Sequence, residues 1–135
     1  MLLTKEQIFE ADDLETEVVL VPEWGTDGKV KVRALTGRER DRLESTVALT
    51  NNKGEQVGTN LDNLRARLCA MTMVDEAGKL IFTSKDDVLG LGRKSGTVLN
   101  RVFEAAQRLS GLTVEDVEKL TKNSNSDLPE GSPTD

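Results

Sequence analysis

Residues 22–43 read PEWGTDGKVKVRALTGRERDRL, and the fold turns on how they are taken. They hold the only Trp of the chain and six of its eighteen Lys and Arg residues. Basic side chains beside a stacking aromatic suit a nucleic-acid patch. The alternation argues for something else. Val30, Val32 and Ala34 share one face of an extended segment, and Lys29, Lys31 and Arg33 share the other. Before it, the β-branched run Val18-Val19-Leu20-Val21 is a strand that Pro22 ends, since proline cannot donate to a ladder. Asp27-Gly28 is a turn dipeptide. The pattern predicts a hairpin over about 16–35, one face on a core and one in water. A lone hairpin is marginal in water, so helices should cover the apolar face.

Thr36 with Glu39 has capping-box spacing and opens a helix over about 37–49, with Leu43 and Val47 on one side. Thr4 with Gln7 marks a short helix over 5–11, and Ser84 with Asp87 another that stops at Gly90 or Gly92. Residues 51–59 are polar and glycine-containing and are expected to be a loop. Thr59 or Asn60 caps the next helix, which reaches Val74, with Leu61, Leu64, Leu68 and Met71 at helical spacing. After the turn at 75–78, residues 79–82 read as a short extended piece. The strongest helical pattern covers 94–110. Its stripe is Val98, Leu99, Val102, Phe103, Ala106 and Leu109, and Gly111 is a fitting stop. Thr113 with Asp116 caps a final helix to about Asn123. The expected architecture is α+β: mainly α-helical, with the N-terminal hairpin packed on about five helices. The stripes at 61–71 and 98–109 form the core pair. Residues 1–123 read as one folded domain. Residues 124–135, with three acids, two prolines and no base, read as a polar disordered tail.

Composition removes whole classes of chemistry. The chain has 135 residues, no histidine and no tyrosine. Triads built on Ser-His or Cys-His are therefore impossible. One cysteine supplies neither a disulfide nor a zinc site, so Cys69 reads as a buried structural thiol. The acid pairs Asp12-Asp13, Asp75-Glu76 and Asp86-Asp87 read as solvated turns or helix starts. Residues 90–96, GLGRKSG, mimic a phosphate loop, but Arg93 interrupts the Gly-Lys-Ser run and the spacing fails. They read as a helix stop and restart. Neither catalytic residues, nor a metal, nor a cofactor are expected. A net charge of −6 opposes broad contact with phosphate backbones, and acids separate the arginines after Thr36. The first residues lack the positive segment and long apolar run of a signal peptide, and no stretch has the length of a membrane helix. Neither nucleic acid nor membrane is expected as a partner, and a cytoplasmic setting fits the cysteine usage.

The order of certain words says more: a Pro-Glu-Trp-Gly after a strand, then VKVRALTGRERDRLE, LRARLCAMTMVDEAGKLIF and LGRKSGTVLNRVFEAAQRLSGLTVEDVEKL. Over residues 8–123 this series resembles the tail assembly chaperones of long-tailed bacteriophages with flexible tails. The resemblance implies a non-enzymatic protein made in the infected bacterium. It implies binding that keeps the tape measure protein soluble, recruitment of tail tube protein, and absence from the finished virion. It also implies a longer, frameshifted form acting beside the short one. Residues 121–123 can be spelled ACA AAA AAC, a slippery run, although Gly28-Lys29 and Gly78-Lys79 can be spelled slippery too. Self-association into a homo-oligomer is compatible with this reading. The candidate protein-docking residues, chosen for expected exposure, are Trp24 at the hairpin tip, Lys29, Lys31 and Arg33 on the strand face, and Arg38 and Arg42 after it. Trp24 against the core is the equal alternative. Two other functions compete: a structural virion component, such as a tail completion or head–tail connector protein, and a nucleic-acid-binding regulator.

Overall fold

A computed structural model describes residues 1–59, 62–112 and 116. The chain is α+β, with helices α1 (Lys5–Glu10), α2 (Gly37–Val47), α3 (Leu64–Thr72), α4 (Lys85–Leu91) and α5 (Gly96–Leu109). The strands are β1 (Thr16–Leu20), β2 (Lys29–Arg33), β3 (Ala48–Thr50), β4 (Gln56–Thr59) and β5 (Met73–Val74). The hairpin is present: β1 and β2 are antiparallel, from Thr16 opposite Arg33 to Leu20 opposite Lys29. β2 is the central strand of three, because Lys31 and Val32 pair on its other side with Val74 and Met73 of β5.

The pleat sorts the side chains as the alternation demands. Val19, Val21, Val32 and Ala34 are buried, while Val18 and Leu20 face outward beside Lys29 and Lys31. Helices α3 and α5 pack against each other and under the sheet, joining Leu68, Cys69, Val98, Leu99, Val102 and Ala106 in one core. The predicted core pair is thus present, apart from Leu61, which lies outside the described residues. Cys69 is fully buried, its thiol donating to the Leu99 carbonyl at 3.6 Å, and burial pushes its pKa up to about 12. A thiol so held is neither a nucleophile nor a ligand at neutral pH.

Helix starts follow the local code. Thr4/Gln7, Thr36/Glu39 and Ser84/Asp87 each form the reciprocal pair of hydrogen bonds of a capping box. The stretch that mimics a phosphate loop is the expected stop and restart, with α4 capped at Gly92 and α5 opened by the Ser95 hydroxyl. Gly111 takes the left-handed conformation at φ 72 that ends α5.

Four predictions about elements need correction. Residues 51–59 are not a plain loop: β3 and β4 form a second hairpin, closed by Asn51, whose side-chain carbonyl accepts from the Lys53 and Glu55 amides. Accordingly α2 ends at Val47, two residues earlier than expected, and Ala48 is already extended. Helix α3 is shorter than predicted at both ends. It starts after Asn63, and Met73 turns extended because β5 completes the sheet. Pairing with β2 overrides the helical spacing there. The extended piece at 79–82 is reduced to one bridge, Leu80 to Val74. The predicted last helix and the polar tail lie outside the described residues, Asp116 excepted.

Candidate docking surfaces

The β1–β2 connection begins with the 3-10 turn Pro22–Trp24, which swings Trp24 back so that it packs, partly buried, against the core. Its ring lines a shallow recess with Phe82 and Leu91. Of the two readings of this residue, the structure places it against the core. Glu23 next to it receives both Arg101 Nη atoms, at 2.9 and 2.7 Å, while Arg101 Nη1 also donates to the Leu20 carbonyl at 3.0 Å. The Arg101 guanidinium holds the Glu23 carboxyl at a pKa of about 2. Arg108, seven residues further along α5, pairs with Glu17 of β1. Helix α5 thereby ties the hairpin down with two arginines.

The other predicted docking residues separate into four groups. Lys29 and Lys31 share the outer sheet face with Val18 and Leu20, which remain 55% and 65% exposed. Arg33 leaves this set. It pairs with Glu39 through two contacts of 2.7 and 2.8 Å, with both side chains largely buried. Burial raises the Glu39 pKa, but the Arg33 pairing and the Thr36 amide outweigh it, so the net shift is downward. Arg38 is exposed on the first turn of α2. Arg42, one turn further on, belongs to a different feature.

That feature is an open groove of about 750 Å³ between α2, α3 and α4. Its floor is apolar, formed by Ala70, Met71, Leu80, Phe82, Val88 and Leu89, and Arg42, Arg67 and Lys85 stand along it with Asp62. Arg67 is fixed there by its hydrogen bond to the Thr46 hydroxyl at 3.0 Å. Sequence reading missed this groove, because its floor comes from three separate segments, 70–71, 80–82 and 88–89, that only the fold brings together.

Reading the residues in order also understated α1. None of its residues is buried. Leu2, Leu3, Ile8 and Phe9 gather four large apolar side chains on a six-residue helix and its lead-in, Phe9 at 79% exposure. Leu3 and Ile8 hold the positions of a hydrophobic staple around the Thr4 cap. The signal was in the sequence: a one-turn helix with apolar content and no spacing to pair it with a core.

Among the described residues no group of three or more His, Cys, Asp or Glu could hold a metal ion. Within the same residues, no helix is long and apolar enough to cross a membrane. The arrangement offers apolar and basic surfaces, which suit binding.

A family model described as phage tail assembly chaperone matches residues 4–122. Among solved structures, the tail assembly chaperone of bacteriophage HK97 is similar, at 21% identity and a TM-score of 0.52, over 77% of this chain and 90% of that one. At that identity the likeness speaks for the fold. No curated protein sequence matches.

Proposed function

This chain belongs to the phage tail assembly chaperone family, and from that premise we propose that it binds the tape measure protein, keeps it soluble, and helps recruit tail tube protein around it. The observation that carries this reading is the outer face of the sheet. Val18 and Leu20 lie there half open to water, with Lys29 and Lys31 directly opposite them on β2. An apolar pair framed by long basic side chains suits an amphipathic partner, since lysine stems add apolar area while their charges orient the contact. Arg38, exposed at the start of α2, is the remaining predicted docking residue that fits such a surface. In this reading the protein acts in the cytoplasm of the infected bacterium and is absent from the finished virion. It works with a longer, frameshifted form of itself and self-associates.

Co-expression with the tape measure protein tests it. The soluble fraction of the tape measure protein should rise with this chain present and fall back with a Val18→Asp/Leu20→Asp variant that retains its fold. Solubility that ignores the chain would overturn the reading. The competing assignment as a virion component predicts a stoichiometric band in purified particles by mass spectrometry.

A further inference from the structure

We propose that the apolar groove between α2, α3 and α4 receives helix α1 of a second copy of the chain, head to tail. It gives the self-association in the reading above a pair of surfaces, and rests on that reading only there.

Two features of the same molecule are unsatisfied and complementary. The segment 1–13 presents Leu2, Leu3, Ile8 and Phe9 largely to solvent, and none of them belongs to the core formed by the described residues. The groove presents Met71, Phe82 and Leu89 as an open apolar floor of matching kind, in a volume of about 750 Å³. Apolar patches left open on both parts of one molecule mark interaction sites. An amphipathic helix laid in a groove is a recurring way to close them.

Charge selects this occupant. Around its apolar side chains the 1–13 segment carries Glu6, Glu10, Asp12 and Asp13 against Lys5 alone. The groove carries Arg42 and Lys85 at its exposed margins, and Arg67 beside Asp62. Among the described residues neither Arg42 nor Lys85 takes part in an ion pair, and neither do the four acids of the segment. An acidic helix entering a basic-edged groove pairs charges that the single copy leaves in water.

The contact is heterologous: each copy offers one knob and one groove, on different surfaces. Such contacts propagate into closed rings or open helices, depending on the rotation between copies.

Sedimentation velocity from low micromolar to millimolar protein tests this. The wild-type chain should associate with rising concentration. Ile8→Asp/Phe9→Asp in α1, or Leu89→Asp in the groove, should weaken association about 30-fold or more. Circular dichroism confirms folding, which these exposed positions should not disturb. Mixing the two variants is decisive. One keeps its groove and the other its α1, so the mixture should form a single contact and stop at a one-to-one dimer. Arg42→Glu/Lys85→Glu should weaken association as well, and should be compensated by Glu6→Lys/Glu10→Lys. A monomeric wild-type chain at every concentration, variants that associate like wild type, or a mixture that stays monomeric would each overturn the proposal. None of these variants touches Val18 or Leu20, so the tape measure assay is read independently.

Discussion

Asp27 and Gly28 solve one turn in two different ways. The dipeptide announces a tight turn, and glycine is the residue expected to take the left-handed backbone. Instead Asp27 takes it, at φ 58. Gly28 is needed for space: a Cβ there would lie 2.6 Å from the Gly25 carbonyl oxygen and 3.1 Å from that of Val21. Both carbonyls are held by hydrogen bonds of the turn, that of Gly25 accepting from the Gly28 N–H and that of Val21 from the Trp24 N–H. Backbone on both sides leaves little room for relaxation. Gly28→Ala should therefore cost about 2 kcal/mol in chemical denaturation. Gly25→Ala, with nothing within 4 Å of its Cβ, should stay within about 0.5 kcal/mol of wild type.

At the scale of elements, what was legible in the sequence was local. Capping boxes close over three residues, so Thr4, Thr36 and Ser84 could be read directly. The Lys-Val alternation of β2 and the stripe of α5 each encode one buried face. What escaped was set by pairing. The β3–β4 hairpin buries almost nothing: Leu49 and Val57 are exposed, so no alternation betrays it. Residues Met73 and Val74 look helical from behind and are extended because β2 needs a second neighbour. The docking residues divided for a similar reason. Arg33 resembles Lys29 and Lys31 in spacing, but Glu39 of the next capping box reaches it. The contrast in burial makes a second prediction. Leu68→Ala, at 1% exposure in α3, should cost about 3 kcal/mol. Leu49→Ala on the exposed hairpin should cost less than about 0.5 kcal/mol in the same unfolding assay.

On the scale of the whole molecule, pH separates this chain from most. It has no histidine, so no side chain with an ordinary pKa titrates between about pH 5 and 8, and its melting temperature should be flat there. Below that range three carboxyls matter. Arg101 lowers the pKa of Glu23 from 4.5 to about 2; the Thr83 and Ser84 amides lower that of Asp87, and Glu39 is also lowered on balance. Folded-state values below unfolded ones mean stabilisation that is fully present above about 4.5 and lost as pH falls toward about 2. Thermal melts across that window should show the midpoint falling with acid. A Glu23→Gln/Glu39→Gln variant should have a lower plateau and a shallower fall.

The junction of α3 and β5 carries a consequence for how the chain folds. Thr72 ends the helix and Met73 begins the strand, with no loop between them. The first hairpin closes over neighbouring residues, but the third strand must come back from more than forty positions away to reach Val32. Long-range closure of this kind is the slow part of folding. With no slack at the junction, the helix cannot seat on α5 without delivering the strand to the sheet. The two should protect their amides as one cooperative unit in native-state hydrogen exchange, opening with nearly equal free energies. The amides of α1, none of whose residues is buried, should exchange orders of magnitude sooner. Separate opening of the helix and the strand would show that the missing loop does not couple them.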